Sequence, residues 1–261
     1  MKITKKSYAK VNIFLKIVGK RGNYHELVSR FVRVHSLYDL VRFQRKQTVD
    51  NEGFVLEGDF SCSIEKNTVF KAYLLLKDMF SQVEEYFKDY KVVIEKYIPE
   101  FAGLGGGSSN AATFMLMVNE QCNLNLTKDE LCNIGAKIGA DVPFFVYEYD
   151  SANVRGIGEI VEKFDEDILD IKVITPPIKC DTAMIFKRFR EDFYKEINKD
   201  DTFKLCGKKS LEVLHEHSIS QANDLYKSAK YIYPQLENYE KNSWFFSGSG
   251  SSFFKVNNGK D

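Results

Sequence analysis

The sequence predicts an α+β protein of two domains, and three observations lead to this prediction. The chain has 261 residues, more than most single domains contain. Residues 7–18 alternate in polarity as a strand does, whereas residues 67–87 carry apolar side chains at helical spacing. The polar stretch FDEDILD at 164–170 is the candidate junction, so we expect an N-terminal domain over residues 1–163 and a C-terminal domain over residues 164–261.

The composition is that of an ordinary globular protein and argues against several classes. Hydrophobic residues make up 44% of the chain and charged residues 28%. The 37 basic and 37 acidic residues cancel, which argues against nucleic-acid binding through the overall field. No apolar stretch approaches the ~18 residues of a spanning helix, and the five cysteines form no C-x-x-C pair. We expect a cytoplasmic protein, a monomer or weak homodimer, without membrane or nucleic-acid partners.

A strand, a glycine-rich loop and a helix are predicted in succession near the middle of the chain. Residues 90–98 read as a strand that ends at Pro99, and the helix is expected to begin near Ser108 or Ser109, residues of the N-cap type. The other predicted elements are strands over 7–18 and 30–43 with a turn near Tyr38 and Asp39, a helix over 67–87, a helix capped by Thr127, strands after Phe145, a strand over 171–175, two or three helices over 181–240, and strands in WFF and SSFFKV around a glycine-containing turn.

The glycine-rich loop, PEFAGLGGGSSNAA, predicts a site for phosphate. Four glycines stand within residues 103–107, so the backbone can approach a ligand closely and turn its N–H groups toward it. The helix that follows adds free N–H groups and partial positive charge. The hydroxyls of Ser108 and Ser109 could donate to phosphate oxygens or ligate magnesium. The alternative is a tight strand-to-helix connection with a serine cap; the P-loop, dinucleotide-binding and protein-kinase motifs are absent.

Four segments in order resemble the motifs of the GHMP small-molecule kinases, a superfamily that includes galactokinase, homoserine kinase and mevalonate kinase. The segments are SYAKVNIFLKI, PEFAGLGGGSSNAA, GADVPFF and FFSGSGSSFF, and they span residues 7–254. The resemblance implies an N-terminal domain of the ribosomal S5 domain 2-like fold, a C-terminal ferredoxin-like domain and an active site in the cleft between them. The triple-glycine loop, with Tyr24, His25 and GADVPFF, resembles most the members that phosphorylate 4-diphosphocytidyl-2-C-methyl-D-erythritol (CDP-methylerythritol) in non-mevalonate isoprenoid synthesis.

The resemblance implies ATP as co-substrate, with Mg²⁺ expected alongside the nucleotide and its protein ligands left open. No protein metal site is predicted. The residues that the resemblance assigns to ATP are Pro99, Glu100, Phe101, Ala102, Gly103, Leu104, Gly105, Gly106, Gly107, Ser108 and Ser109 of the loop, with Asn67, Lys96 and Asn110 near the adenine or ribose.

The resemblance also assigns catalytic roles to Lys10 and Asp141. Asp141 would contact the substrate hydroxyl and pair with Lys10, since a carboxylate can accept the hydroxyl proton while an ammonium group neutralises charge on the transferred phosphoryl group. Phosphoryl transfer needs alignment and electrostatic support more than a nucleophilic side chain. Two alternatives remain, namely a helix N-cap at Asp141, ahead of Pro143, and a solvated strand lysine at Lys10.

The substrate residues implied by the resemblance surround a cytosine ring. Tyr24 and His25 would stack on the base and hydrogen-bond its edge, with Phe186 on the opposite side of the ring. The assigned set is completed by Asn12, which the strand periodicity places beside Lys10, by Thr182, and by Gly248, Ser249 and Gly250 of the C-terminal turn. Without the resemblance, Phe186 would be interpreted as core and the C-terminal turn as a hairpin loop.

The chain departs from the family pattern at two places. The family reads Arg-x-Asp-Gly-Tyr-His where this chain has Arg21, Gly22, Asn23, Tyr24 and His25, one residue shorter and without the aspartate. Asparagine tolerates the left-handed conformation, so the turn can survive. Phe246 stands where methionine is usual, a change that should mostly affect packing.

Two other functions stay open at this point. A GHMP kinase could act on a different small alcohol, although such an acceptor needs no aromatic pocket for a base. A catalytically inactive binding protein on the same fold, or an RNA binder by analogy with the ribosomal relative, is the second alternative. The balanced charge weakens the RNA version, and the presence of both Lys10 and Asp141 weakens the inactive version.

Overall fold

The computed structural model describes residues 2–22, 24–47, 53–195 and 199–257. Two compact units are found: unit 1 comprises Met1–Ala9, Leu37–Ile98 and Gly106–Glu148, and unit 2 comprises Lys10–Ser36, Pro99–Gly105 and Tyr149–Asp261. Neither unit is a continuous stretch of chain, because two long strands contribute residues to both. The predicted boundary between residues 163 and 164 stays a prediction.

The described part of the chain contains both helices and strands, as an α+β protein should. The strands are β1 (Lys2–Arg21), β2 (Tyr24–Arg45), β3 (Leu56–Gly58), β4 (Tyr90–Glu95), β5 (Ser151–Gly156), β6 (Ile160–Lys163), β7 (Ile171–Ile174), β8 (Phe245–Phe246) and β9 (Phe253–Val256). The α-helices are α1 (Thr68–Met79), α2 (Ser81–Asp89), α3 (Gly106–Gln121), α4 (Lys128–Gly135), α5 (Val142–Tyr147), α6 (Thr182–Arg188), α7 (Lys199–Leu205), α8 (Ser210–Glu216), α9 (Ile219–Ala222) and α10 (Tyr226–Ile232). Short 3₁₀ helices cover Ile64–Lys66 and Pro234–Tyr239, and a π-helical turn covers Phe189–Phe193.

Unit 1 combines a small sheet with the helices α1 to α5. β4 pairs antiparallel with residues 40–45 of β2, and β3 runs parallel to β4. An aromatic cluster fills the core, in which the ring centroid of Phe43 lies 5.2 Å from that of Phe87 and 5.7 Å from that of Phe114. These distances suit the edge-to-face contacts that aromatic rings prefer. The helix α3 packs against α1, α4 and α5, and α4 packs against α5.

Unit 2 contains two groups of paired strands. Residues 27–32 of β2 pair antiparallel with β5, which pairs with β6, and a three-stranded sheet has the order β7, β9, β8. A buried cluster joins Leu15 and Ile17 of β1 with Ile185 of α6 and Phe253 of β9. Burial of such side chains stabilises the folded chain by roughly 1.5–3 kcal/mol each. The predicted strands in WFF and SSFFKV are confirmed as β8 and β9.

Local signals explain several helix boundaries. Asn67 caps α1, because its Oδ1 accepts a hydrogen bond from the N–H of Val69 at 2.9 Å. Thr127 and Glu130 form a capping box at the start of α4, which confirms the predicted cap. Phe80 has an extended backbone with φ −139° and separates α1 from α2, so the single helix predicted over 67–87 is wrong. Among the described residues, no helix is long and apolar enough to span a bilayer.

The predicted turn near Tyr38 and Asp39 is wrong, since β2 runs unbroken from Tyr24 to Arg45. Asp39 is buried in this strand, where partners from elsewhere in unit 1 satisfy its carboxylate. The predicted strand over 90–98 ends earlier, at Glu95, because the N–H groups of Tyr97 and Ile98 bond to Asp39 instead of a neighbouring strand. One buried carboxylate therefore explains both differences.

Two further expectations need correction. β1 is not half-buried over residues 9–15, where both of its faces are covered, so Lys10 is only 4% exposed and is not a solvated strand lysine. The region 181–240 contains five α-helices, α6 to α10, among its described residues instead of two or three. These helices have only four to seven residues, which is too short for the spacing of apolar residues to show where one helix ends and the next begins.

Candidate active site

The helix α3 begins at Gly106, immediately after the loop over residues 99–105. The prediction of a start at Ser108 or Ser109 is therefore two residues late, and both serines lie in the first turn. The N–H groups of Gly106, Gly107 and Ser108 have no partner within the helix, because the carbonyls four residues before them belong to residues 102–104 of the preceding loop. Together with the helix dipole, these donors suit an anion such as phosphate.

The hydroxyls of the two serines have different surroundings in unit 1. Ser109 is 1% exposed, and its Oγ accepts a hydrogen bond of 2.8 Å from the Oγ of Ser7. Ser108 is half-buried, and a Cβ added at Gly139 would lie 3.5 Å from its Oγ. Ser108 thus lies next to the segment that leads into Asp141. The assignment of both serines to ATP stays a prediction.

Asp141 stands at the N-cap position of α5 and is half-buried. Its side chain accepts no capping hydrogen bond from α5, although Pro143 occupies the first turn as the alternative interpretation required. The helix therefore does not depend on this carboxylate as a cap. That observation favours the functional interpretation of Asp141 over the structural one.

Lys96 and Asn110, which were assigned to the nucleotide, meet at Asp39 in unit 1. The Nζ of Lys96 forms an ion pair with Oδ2 of Asp39 and donates a 2.9 Å hydrogen bond to Oδ1 of Asn110. The Nδ2 of Asn110 donates to Oδ2 of Asp39 at 2.9 Å and to the Oγ of Ser7 at 2.9 Å. The third assigned residue, Asn67, caps α1, and its neighbour Thr68 donates from Oγ1 to the carbonyl of Gly107 at 2.7 Å.

The loop over residues 99–105, in unit 2, is fixed by backbone hydrogen bonds. The N–H of Lys10 donates to the carbonyl of Leu104 at 3.0 Å, and the N–H of Ser252 donates to the carbonyl of Ala102 at 3.1 Å. Gly103 has φ +74° and lies so close to the C-terminal turn that an added Cβ would be 2.1 Å from the carbonyl oxygen of Ser247. Glycine is therefore required at this position. Pro99 and Glu100 are half-buried, whereas Phe101 is 54% exposed with φ +55°.

Lys10 and Asn12 project from β1 side by side, as the strand periodicity predicts. The Nζ of Lys10 donates a 2.7 Å hydrogen bond to Oδ1 of Asn12 and lies 4.2 Å from the ring centroid of Phe31. The Nδ2 of Asn12 donates to the Oγ of Ser29 at 2.9 Å. This chain of contacts holds the lysine in a defined position, so its ammonium group is oriented before any substrate binds.

The C-terminal turn, residues 247–252, contains the assigned residues Gly248, Ser249 and Gly250. The Nδ2 of Asn223 holds it by donating to the carbonyls of Phe246 at 3.0 Å and Gly248 at 2.9 Å. The Oγ of Ser249 and the Oγ1 of Thr182 share a 2.7 Å hydrogen bond, so these two assigned residues are in contact. Gly250 has φ +87°, and an added Cβ would lie 2.1 Å from the ring of Phe246.

His25 and Phe186 stack in unit 2, with ring centroids 5.2 Å apart and an interplanar angle of 28°. His25 is 6% exposed, and its Nε2 is buried without a hydrogen-bond partner. A buried polar atom without a partner is rare in proteins, so Nε2 of His25 is a candidate for a hydrogen bond to a water molecule or a ligand. The side chain of Tyr24 and the whole of Asn23 lie outside the described residues, while Gly22 has φ +60°, the left-handed conformation.

The pKa of His25 is lowered from its ordinary value of 6.5, first by burial and then by the charges of Arg190 and Lys20. As pH falls below 6.5, the unfolded chain takes up the proton before the folded one, so acidification destabilises the fold. We expect His25→Gln to lose less thermal stability than the natural chain between pH 7 and pH 5 in scanning calorimetry. Equal losses in the two proteins would contradict the buried neutral histidine.

Sequence reasoning missed Asp39 and Asn223, which position assigned residues. Asp39 could have been found, since a single carboxylate inside the apolar run SLYDLVRF is unusual for a strand. Asn223 had no such signal, because an asparagine after a short helix is common in turns. In the described parts of the chain, no group of three or more His, Cys, Asp or Glu side chains could hold a metal ion.

Similarity to known proteins agrees with this geometry. The model of the GHMP kinases N terminal domain matches residues 67–149. A 4-diphosphocytidyl-2-C-methyl-D-erythritol kinase of Sulfurimonas denitrificans is 50% identical over 256 residues, which cover 96% of each chain. A protein of the same name from Campylobacter jejuni (strain 81-176) is 39% identical and covers 96% of this chain and 99% of that one.

The crystal structure of a 4-(cytidine 5'-diphospho)-2C-methyl-D-erythritol kinase is similar over 98% of this chain and 90% of that one, with a TM-score of 0.72 and 26% identity. The mevalonate kinase of Methanococcus jannaschii, with a TM-score of 0.62 and 16% identity over 100% of this chain and 91% of that one, shares the fold. Since relatives of up to 50% identity span nearly its whole length, the chain belongs to the 4-diphosphocytidyl-2-C-methyl-D-erythritol kinase family of the GHMP kinases.

Proposed function

We propose that this chain transfers the γ-phosphoryl group of ATP to the 2-hydroxyl of CDP-methylerythritol, in the non-mevalonate route to isoprenoids. The hydroxyl oxygen forms a bond to the γ-phosphorus while the bond from that phosphorus to the β,γ-bridging oxygen breaks. ADP leaves, and the hydroxyl proton passes to the carboxylate of Asp141. The observation that carries this proposal is 50% identity along 96% of the chain to a kinase named for this substrate.

The start of α3 supports the nucleotide part of the proposal. Its first three N–H groups, those of Gly106, Gly107 and Ser108, belong to residues that the resemblance assigns to ATP, and without a partner in the helix they suit phosphate oxygens. Gly107 is exposed, so phosphate can approach its backbone directly. A Cβ at Gly106 would instead lie 3.0 Å from Cγ2 of Ile98, so that glycine also serves packing.

Lys10 and Asp141 have complementary roles in the proposal. The ammonium group of Lys10 neutralises charge on the transferred phosphoryl group, and its hydrogen bond to Asn12 fixes its direction. Asp141 accepts the proton of the attacking hydroxyl. Its side chain makes no capping hydrogen bond to α5, so the helix does not depend on this carboxylate.

Mg²⁺ accompanies ATP in the proposed reaction, where it neutralises phosphate charge. Its preferred ligands are oxygens, and much of its coordination comes from water and phosphate. The half-buried hydroxyl of Ser108 and the carboxylate of Asp141 are donors of the right chemistry in unit 1. Ser109 fits less well, because its hydroxyl is buried against Ser7.

His25 and Phe186 support the choice of acceptor. The unpaired Nε2 of His25 suits the polar edge of a base, and the stacked aromatic pair provides an apolar surface for a ring. A small aliphatic alcohol needs neither feature. These contacts favour the cytidine-containing acceptor over mevalonate, homoserine or a sugar.

The test is ADP release by the purified protein with magnesium-ATP, comparing CDP-methylerythritol with mevalonate, homoserine and no acceptor. We expect release that depends on CDP-methylerythritol. Release with another alcohol would keep the kinase and remove the roles of His25 and Phe186. A folded protein that binds ATP and releases no ADP with any acceptor would support the binding-protein alternative.

A further inference from the structure

Asp39 lies at the centre of a buried polar cluster in unit 1 whose other members are Ser7, Lys96, Asn110 and the backbone of residues 97 and 98. Asp39 is 0% exposed. Its two oxygens have separate tasks. Oδ1 accepts the N–H groups of Tyr97 at 2.7 Å and Ile98 at 2.8 Å, whereas Oδ2 accepts from Lys96 and Asn110.

Both N–H donors of Asn110 are used within this cluster. Its two amide hydrogens go to Asp39 and Ser7, and its Oδ1 accepts from Lys96. An asparagine amide has only two N–H hydrogens to donate. Asn110 therefore has no donor left for a ligand, and its contact with Lys96 restrains that lysine.

Lys96 retains one donor. An ammonium group has three N–H bonds, and those directed to Asp39 and Asn110 account for two of them. Its side chain is 10% exposed, so the third N–H bond is restricted to a narrow range of directions. The adjacent carboxylate of Asp39 neutralises the charge of the Lys96 ammonium group. Lys96 is therefore suited to donate one hydrogen bond in a fixed direction, and it attracts phosphate only weakly.

We propose that Asp39 is a positioning residue for the nucleotide: it holds Lys96 so that the remaining N–H bond donates to a neutral acceptor atom on the nucleoside part of ATP, a ring nitrogen or a ribose oxygen. The proposal rests on the proposed function, since it concerns the ATP site of that kinase. Oδ1 of Asp39 contributes in a second way. It fixes Ile98, whose side chain lies under Gly106 at the first residue of α3.

Asp39→Asn separates the two tasks of the carboxylate. The amide oxygen of the variant can still accept from Tyr97 and Ile98, but its NH₂ group would face the donors of Lys96 and Asn110. Lys96 then loses its orientation while the backbone contacts persist. We expect the KM for ATP to rise about tenfold or more, and each tenfold rise corresponds to about 1.4 kcal/mol of lost ATP binding. The kcat at saturating ATP and the KM for the acceptor should stay within about twofold of their values in the natural chain.

A double-mutant comparison distinguishes positioning from general structural damage. Because Asp39 acts through Lys96, adding Asp39→Asn to Lys96→Met should change the KM for ATP by less than about twofold. A structural role would make the two effects multiply. Asp78→Asn is the matched control, since this exposed carboxylate on α1 lies in the same unit, and it should leave both KM values unchanged.

Direct binding of a non-hydrolysable ATP analogue by calorimetry keeps the proposal testable without turnover. If Asp39→Asn fails to fold, Lys96→Met alone should still weaken binding of the analogue about tenfold. Unchanged affinity in either folded variant, an equal rise of both KM values, or multiplying effects in the double variant would overturn the proposal. If the natural chain binds the analogue but transfers no phosphoryl group to CDP-methylerythritol, the proposed reaction is wrong, and the role of Asp39 is still tested by the binding measurements. If the natural chain does not bind the analogue, both proposals are wrong.

Discussion

Asp141→Asn should lower kcat by about 10²–10⁴-fold while the affinity for ATP stays within about twofold. The amide has nearly the shape of the carboxylate but cannot accept the proton of the attacking hydroxyl. Because the side chain makes no capping hydrogen bond to α5, the substitution should leave the helix intact. The measurement is steady-state ADP release at saturating CDP-methylerythritol, together with binding of an ATP analogue.

The control for this variant is Asp129→Asn, which removes another carboxylate of unit 1. Asp129 accepts a hydrogen bond from Tyr147 at 2.7 Å in an exposed position, so its loss should barely change turnover. A kcat for Asp141→Asn within about threefold of the natural value would remove this residue from the chemistry. A parallel loss of thermal stability would instead indicate a structural role.

Gly103→Ala should lower the stability of the protein more than a glycine-to-alanine substitution at any other position of the loop. The residue has φ +74°, and the new Cβ would lie 2.1 Å from the carbonyl oxygen of Ser247, a fixed backbone atom. The left-handed conformation alone costs about 1–2 kcal/mol for a residue with a Cβ. The clash adds to this and forces the loop and the C-terminal turn apart. We expect the melting temperature to fall by roughly 5 °C or more and the KM for ATP to rise.

Gly22→Ala provides the matched control for Gly103→Ala. Gly22 also has a left-handed backbone, with φ +60°, but nothing lies within 4 Å of the position of its Cβ. This variant should therefore show the conformational penalty without the clash, and its melting temperature should fall by less. Equal losses in the two variants would show that the contact between Gly103 and Ser247 is not restrictive.

Local sequence patterns predicted correctly those features that depend on interactions between residues close in sequence. The alternation along β1 predicts that Lys10 and Asn12 lie together, because side chains two apart on a strand share a face. Thr127 predicts the start of α4 as its N-cap, and the structure shows that this cap and Glu130 form a capping box, which involves only neighbouring residues. The glycines of the loop predict left-handed backbone, and Gly103 and Gly105 have φ +74° and +71°.

Local patterns failed where distant residues compete for the same groups. An aspartate at position 39 predicts a turn from local sequence. Asp39 nevertheless lies within β2, because the N–H groups of residues 97 and 98, from a separate segment, donate hydrogen bonds to its buried carboxylate. The same contact ends β4 early. Periodicity cannot report such a partner, because the two segments are almost sixty residues apart and their pairing depends on the packed core.

By itself the sequence determined the family, the order of its four motifs and the residue types available for phosphoryl transfer, since these depend on chemistry carried in short segments. Only the tertiary structure decided which polar groups are already satisfied. Ser7 donates to the hydroxyl oxygen of Ser109, and Asn110 uses both of its donors within the cluster around Asp39. Lys96 keeps one donor, and Nε2 of His25 has no partner among the described residues. The physical reason is that a polar group removed from water must form its hydrogen bonds with the protein atoms that the fold brings within about 3 Å. Only the donors and acceptors left after these bonds have formed can bind a substrate.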